Sequence, residues 1–336
     1  MSLSTTEPSS TGPDGSSATG AAGGDREPPG GQGPARARRQ GDLPIHVVNG
    51  NIRMGRRLKD LWTHRELLVL LTRSQLKMKY KDSILGYVWS MLNPMLVLSI
   101  YYVSFKYISK NPTPDFAIWL FAGLLVWNLF NNAAMTATTV VVGNAGIVKK
   151  VAFPRELLAI ATVGVALVLF LIQVGVLIVA LAAFQHTPAY LYMTLLPFAM
   201  IDLIIFTSAV CIFLSAVNVY LRDTQHLTEV LLMAWFWSVP IVYEWSTVGP
   251  KFAKHGLTWL KYLYVMDPIT PIAMTFQRAI YGNGYVLNGV HTTLLPDIGF
   301  VGYVLALTAV LVASVALFLL ALVVFGRLEG NFAEEL

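Results

Sequence analysis

The chain has 336 residues, of which 55% are hydrophobic and only 13% charged, and its mean hydropathy is +0.59. Soluble domains carry about 25% charged residues, so roughly half of the usual charge is missing. Several apolar runs exceed the length of about 18 residues that is typical of membrane-spanning helices, which excludes a soluble enzyme. The single cysteine, Cys211, excludes an intramolecular disulfide. The formal charge of +5 does not indicate nucleic-acid binding, because the basic residues flank apolar segments. We therefore predict an all-α integral membrane protein.

The N-terminal region differs in composition from the rest of the chain. Nineteen of the first 34 residues are Gly, Ser or Pro. Such a segment cannot bury enough apolar surface to offset the entropy lost on ordering. We expect residues 1–50 to form a disordered cytoplasmic tail and residues 51–336 to form the transmembrane domain.

The first predicted element is an amphipathic helix over residues 56–79. Leu61, Leu68 and Leu76 share one stripe of the helix, and basic residues lie mostly outside it. This pattern favours a helix in the lipid headgroup layer, and the alternative is the cytoplasmic start of the next helix. The residues expected at the headgroup region are Arg65, Arg73, Lys77, Lys79, Tyr80 and Lys81.

Six membrane spans follow in the prediction. They cover residues 84–107, 116–142, 157–184, 192–218, 225–243 and 300–325. The fifth is the shortest and contains Pro240, which favours a kinked helix that dips into the membrane. With a cytoplasmic N-terminus, 18 Lys and Arg residues lie inside and six lie outside. The positive-inside rule therefore predicts that both termini are cytoplasmic.

The long connection between the fifth and sixth spans contains two short amphipathic pieces, at residues 257–266 and 271–281. Between them lies a Pro-rich turn, in which Thr270 is the expected N-cap of the second piece, and Gly282 is its expected end. Neither piece is long enough to cross a membrane. We predict a re-entrant helical hairpin at about residues 252–283, and an external helical loop remains the alternative.

Several kinds of chemistry are absent from the sequence. It contains no G-x-x-x-x-G-K-[ST] loop for ATP, no D-x-D pair for a metal and sugar nucleotide, and no Cys/His cluster with metal-ligand spacing. We expect no catalytic residue, cofactor or metal on this chain. Asp202 is the one carboxylate clearly inside a predicted span, which makes it a functional candidate by default. It is interpreted either as a proton or ion site, or as a carboxylate that is hydrogen-bonded inside the bundle or lies near a wet cavity.

Five segments, taken in their order along the chain, resemble a known family. They lie at residues 68–94, 143–156, 218–226, 267–278 and 329–336, and the first reads LVLLTRSQLKMKYKDSILGYVWSMLNP. Together they resemble the permease subunits of ABC-2 transporters that export polysaccharides and teichoic acids. The resemblance covers roughly residues 58–336.

The resemblance implies a homodimer in the bacterial cytoplasmic membrane, joined to two separately encoded nucleotide-binding subunits that hold ATP and Mg²⁺. The expected substrate is an undecaprenyl- or decaprenyl-linked glycan of the O-antigen or galactan type. Residues 144–155 resemble the helix that couples such a permease to its ATPase. The residues expected at that interface are Asn144, Ile147, Lys149, Lys150, Phe153 and Arg155.

Aromatic side chains inside the predicted spans are candidates for a glycan path, because aromatic faces stack on sugars and the edges of Tyr and Trp form hydrogen bonds. The candidates are Tyr101, Tyr102, Trp119, Trp127, Phe130, Trp235 and Trp237. The alternative is that they face lipid or the protein core.

Two other functions compete with polysaccharide export. An ABC-2 exporter of drugs or small lipids often lacks a basic helix like that at residues 58–81. A membrane glycosyltransferase or flippase working alone would require a metal-binding pair or ion sites that the sequence lacks.

Overall fold

The computed structural model describes residues 54–81, 88–108, 113–245, 254, 266–287 and 290–336. The predicted tail at residues 1–50 lies outside these ranges. The helices are α1 (Met54–Thr63), α2 (Arg65–Lys79), α3 (Val88–Val103), α4 (Phe116–Gly143), α5 (Ala145–Val148), α6 (Glu156–Ala183), α7 (Tyr190–Met193), α8 (Leu196–Tyr220), α9 (Thr224–Ser238), α10 (Ile269–Ile280) and α11 (Gly299–Leu328). A π-helical turn at Ser104–Ile108 extends α3. A 3₁₀ turn (Glu329–Asn331) and a short helix (Phe332–Glu335) follow α11.

Four helical segments are long and apolar enough to cross a membrane. They are Phe116–Gly143, Glu156–Ala183, Tyr190–Tyr220 and Gly299–Asn331, and they correspond to the second, third, fourth and sixth predicted spans. The all-α membrane architecture is therefore confirmed in its coarse form.

The first and fifth predicted spans are shorter helices. The described part of the first is the helical stretch 88–108, and residues 82–87 lie outside the description. The helix of the fifth predicted span, α9, ends at Ser238, five residues before the predicted end of the span. Val239 precedes Pro240 and is extended, with φ −85° and ψ 133°, because a proline disfavours helical geometry in the residue before it. The 15 residues of α9 rise about 22 Å, less than the hydrocarbon core of about 30 Å.

Helix α4 forms the centre of the bundle and packs against α6, α8 and α10. Of its most apolar 18 residues, 78% are buried, compared with 28% for α11. Helix α11 packs mainly against α8 and leaves most of its surface outside the protein. Such a surface suits contact with lipid, whereas α4 is surrounded by protein.

The predicted amphipathic helix at residues 56–79 is present but is broken at His64, which has φ −92° and ψ 23°. Helix α2 packs against α6 at Gly164. A Cβ atom added to that glycine would lie 2.7 Å from Thr72 Oγ1. Glycine therefore allows the close approach of the two helices.

The connection after α9 was only partly predicted. Residues 257–265 of the first piece lie outside the described residues, and the second piece corresponds to α10. Pro268 stands at the N-cap position of α10, and the Asp267 carboxylate, not Thr270, caps the helix by accepting hydrogen bonds from the Ile269 and Thr270 backbone N–H groups. Gly282, with φ +102°, ends the helix as predicted. A β-hairpin of β1 (Gly284–Leu287) and β2 (Val290–Thr293) follows, with Gly284 opposite Thr293, and it was not predicted.

Candidate functional site

The connection between α4 and α6 presents an exposed patch. Ile147 and Val151 are 46% and 53% exposed, and Lys149 and Lys150 are exposed between them. Val148 is buried and fixes the segment to the bundle. The patch therefore combines two apolar side chains with two positive charges.

The predicted helix over residues 144–155 is wrong in extent, because only the single turn of α5 is helical. Gly146 and the β-branched residues of this segment favour helix weakly, and Pro154 disfavours helical geometry at Phe153. The Asn144 side-chain amide donates to the Val140 carbonyl and thus serves the end of α4.

The last two predicted interface residues of this connection face the protein. Phe153 is half-buried and packs against the core. The Arg155 guanidinium donates to the Glu329 backbone carbonyl at 3.1 Å and lies 3.7 Å from the Glu329 carboxylate. Lys149 and Lys150 remain the exposed cations of the segment.

Arg155 belongs to a cluster of four charges that sequence reasoning did not identify. Arg57 of α1 forms ion pairs with Glu156, the first residue of α6, and with Glu329 at 3.2 Å. Glu156 is 3% exposed. Two arginines and two glutamates thus compensate one another where α1, α6 and the end of α11 meet, and ion pairs of this kind are strongest when hydrogen-bonded and shielded from water.

The C-terminal residues are docked beside this cluster. Phe332 is fully buried against Phe325, with ring centroids 5.4 Å apart, and the Arg155 guanidinium lies 6.0 Å from the Phe332 ring. The Tyr220 hydroxyl donates to the Leu328 carbonyl at 2.7 Å. The cluster and these contacts join both ends of the transmembrane domain to the start of α6.

The predicted headgroup residues line the exposed side of α2 and its end. Arg65, Arg73, Lys77, Lys79 and Lys81 are exposed, and Tyr80 is half-buried. Arg65 lies over the Trp62 ring at 5.7 Å. Desolvation lowers the pKa of Lys79. This arrangement suits a helix beside a membrane surface.

The predicted glycan-path aromatics form a packed cluster more than an open surface. Trp119 and Phe130 are fully buried, and Trp127 is 6% exposed. Tyr101, Tyr102 and Trp235 are half-buried, and Trp237 is 53% exposed. Burial in the core gives three of the seven candidates a packing role in this protomer.

The more accessible aromatic side chains contact the same cluster. The Tyr101 ring stacks on Phe236 with centroids 6.1 Å apart and meets Trp237 edge-on at 6.5 Å. The Trp235 Nε1–H donates to the Asp267 carboxylate at 3.0 Å and so connects α9 to the start of α10. Burial raises the pKa of Asp267 despite the hydrogen bonds that it accepts.

Asp202 of α8 is fully buried, and neither carboxylate oxygen has a hydrogen-bond partner among the described residues. The described part of this protomer therefore shows no hydrogen bond of the Asp202 carboxylate inside the bundle, and a position near a wet cavity stays a prediction. The interpretation as an ion site stays a prediction.

A polar cavity of about 400 Å³ lies between the end of α2 and helices α3, α4 and α6. Its polar side chains are mainly carboxamides, and its remaining wall is aromatic and apolar. The lining residues are Lys79, Tyr80, Trp89, Pro94, Val97, Asn128, Asn131, Asn132, Leu169 and Gln173. We call this space the carboxamide cavity.

Sequence reasoning missed the carboxamide cavity, although a signal was present. Asn128, Asn131 and Asn132 lie at spacings of three and four residues in an otherwise apolar helix, so they share one face. The Asn128 amide donates to the Gln173 side-chain oxygen at 3.3 Å, and the Asn132 amide donates to the Asn128 backbone carbonyl at 2.7 Å. The Asn131 side chain has no hydrogen bond to any described residue.

The chain is similar in sequence to known membrane proteins. Two O-antigen export system permease proteins RfbA from Klebsiella pneumoniae are 29% and 30% identical over 271 residues, which is 81% of this chain and 95% of each relative. A protein of the same name from Myxococcus xanthus is 28% identical over 228 residues, or 68% of this chain and 85% of the relative. The sequence profile of the ABC-2 type transporter family matches residues 66–277. Since this match covers more than half of the chain, the protein belongs to the ABC-2 type transporter family.

Proposed function

We propose that this chain is the transmembrane subunit of an ATP-driven exporter of a lipid-linked polysaccharide. The observation that carries the proposal is the similarity over 81% of the chain to permeases named for O-antigen export. The carboxamide cavity supports it, because Asn and Gln side chains offer both donors and acceptors for hydroxyl groups without carrying charge. The cargo is a polyprenyl-linked glycan of the O-antigen or galactan type.

The energy source in this proposal is a separate nucleotide-binding subunit that carries ATP and Mg²⁺. Two copies of it bind a homodimer of this chain. The exposed patch of Ile147, Lys149, Lys150 and Val151 supports this assignment, because two apolar side chains with two positive charges between them suit a partner surface that combines apolar and acidic groups. Asn144, Phe153 and Arg155 support the patch from the protein side.

The proposed topology has six spans in the bacterial cytoplasmic membrane, with both termini in the cytoplasm. The four long helices form four of the spans. Helix α3, with the residues before it, and α9, with the turn at residues 239–244, form the two shorter ones. The distribution of Lys and Arg supports the orientation. Helix α10 is the returning half of a re-entrant hairpin, and its almost complete burial supports a position inside the protein.

Depletion of the protein from its host tests the proposed function. Lipid-linked glycan is expected to accumulate on the cytoplasmic leaflet, while the same glycan decreases in the cell envelope. Lipid extraction measures the lipid-linked glycan. Labelling of sugars on intact cells measures the glycan of the cell envelope. Unchanged pools in depleted cells would rule out polysaccharide export.

A further inference from the structure

The carboxamide cavity extends from the level of the headgroup helix towards the middle of the bundle. Lys79 is the last residue of α2, whereas Asn131 lies 12 residues before the end of α4, or about 18 Å along the helix. Gln173 lies at a similar depth in α6 and is 4% exposed. The cavity therefore has a cationic end near the headgroups and an uncharged polar end in the spans.

The polar end suits a polar occupant. A carboxamide that faces hydrocarbon without hydrogen bonds is unfavourable by several kcal/mol on alkane scales. The two hydrogen bonds donated by Asn128 and Asn132 use only part of the donors and acceptors of these carboxamides. The Asn131 side chain forms no hydrogen bond with the described residues. Each carboxamide offers two N–H donors and one acceptor oxygen. Hydroxyl groups of a bound ligand match this set.

Lys79 supplies the positive charge of the cationic end. Lys79 has no ion pair with any described residue, and desolvation lowers its pKa. An anion beside the ammonium group would reverse this shift. Trp89 and Tyr80 flank this end of the cavity and present aromatic surface.

We propose that the carboxamide cavity binds the phosphate-linked sugar of a glycolipid, with the phosphate at Lys79 and the sugar hydroxyls at Asn128, Asn131, Asn132 and Gln173. The volume of about 400 Å³ lies within the range of about 300–1,000 Å³ that is typical of small-ligand sites. This inference rests on the proposed function, because it assigns a subsite to the exported lipid-linked glycan. A membrane phospholipid with a polyol headgroup has the same chemistry, and the experiment separates the two sources.

The test measures lipid binding to the full-length protein in phosphatidylcholine nanodiscs. The probes are a polyprenyl diphosphate carrying one hexosamine, the same polyprenyl diphosphate without sugar, and phosphatidylglycerol. The wild-type protein is expected to bind the sugar-bearing probe about two- to tenfold more tightly than the sugar-free one, the range that one neutral hydrogen bond supplies. Phosphatidylglycerol is expected to compete poorly with either polyprenyl probe.

Two variants with matched controls locate the two ends of the ligand. Asn131→Leu is expected to abolish the preference for sugar and leave the sugar-free probe unaffected, and Thr136→Val, on an exposed part of the same helix, is expected to match wild type. Lys79→Gln is expected to weaken the binding of both polyprenyl probes about tenfold or more, because a hydrogen bond to a charged group is lost. Lys77→Gln is its control, because Lys77 is exposed on the same helix and does not line the cavity. Asn131→Ser replaces the leucine variant if that protein does not fold.

Three results would overturn the inference. They are equal wild-type affinity for the two polyprenyl probes, an unchanged sugar preference in Asn131→Leu, and displacement of the sugar-bearing probe by phosphatidylglycerol at equal concentration. The last result would assign the cavity to membrane phospholipid. Failure of the proposed function has a different signature, because it leaves the glycan pools of depleted cells unchanged whatever the binding measurements give.

Discussion

Replacing Trp119 with alanine is expected to destabilise the protein before it affects any transport path. Trp119 is fully buried, and its ring stacks on Phe116 with centroids 5.5 Å apart. Trp237 is 53% exposed and serves as the matched control. The comparison separates a packing role from a role in transport for residues that have the same side chain.

The magnitude follows from the surroundings of the ring. Loss of a buried Trp from a soluble core destabilises it by about 3–5 kcal/mol, of which an aromatic pair supplies about 0.5–1.5 kcal/mol. Two effects reduce this figure here. Lipid is as apolar as the protein interior, so the transfer contribution is small. In addition, the Trp119 Nε1–H has no hydrogen-bond partner among the described residues, and its removal relieves a penalty of about 1–3 kcal/mol. We expect a net loss of about 2 kcal/mol for Trp119→Ala.

The first assay follows the thermal unfolding of each purified variant in detergent. The second measures export in depleted cells that express each variant at the same membrane level as the wild-type protein. Trp119→Ala is expected to lower the apparent melting temperature by several degrees, and Trp237→Ala to leave it unchanged. Trp119→Phe retains most of the packing and removes the N–H group, so it is expected to behave as wild type in both measurements. Normal thermal stability of Trp119→Phe together with lost export would refute the reasoning, because it would show that the indole N–H acts on the substrate.

Two further perturbations test the helix contacts and the exposed patch. The double change Lys149→Glu, Lys150→Glu is expected to leave membrane insertion intact and to abolish copurification of the ATPase subunit, and full partner binding would contradict the docking assignment. Gly164→Ala is expected to cost about 1–3 kcal/mol through overpacking against Thr72, whereas Gly175→Ala in the same helix is expected to be neutral, since nothing lies within 4 Å of its added Cβ. Equal thermal stability of the two alanine variants would show that the contact between α2 and α6 is not tight.

The long spans could be predicted from the sequence because hydrocarbon imposes a minimum apolar length. The predicted segments 116–142 and 157–184 differ from Phe116–Gly143 and Glu156–Ala183 by a single residue at each differing end. The end of α9 could not be placed in the same way, since residues 239–243 are as apolar as the helix before them. Only the effect of Pro240 on Val239 marks that boundary, and the backbone geometry there confirms it.

The orientation of side chains inside the bundle was beyond the sequence. Lipid-facing and core-facing positions are both apolar, so composition does not distinguish the buried Trp119 from the exposed Trp237. The carboxamides were more visible, because three Asn residues on one face of a span have no role in a purely apolar environment. That they line one cavity with Lys79 and Gln173 depends on tertiary packing. The spacing of residues in the sequence does not predict such packing.

The charge cluster gives the exposed patch a mechanical connection to the spans. Lys149 and Lys150 are exposed, whereas Arg155 and Glu156, five and six residues later, are held by Glu329 and Arg57. A partner that binds the patch therefore acts on a short segment that Val148 anchors on one side and Arg155 and Glu156 anchor on the other. Pro154 restricts the backbone immediately before α6. Glu156 begins α6, and α6 carries Gln173, so one continuous helix joins the end of this segment to the carboxamide cavity. This arrangement links the site proposed for the ATPase to the site proposed for the substrate without requiring a separate relay.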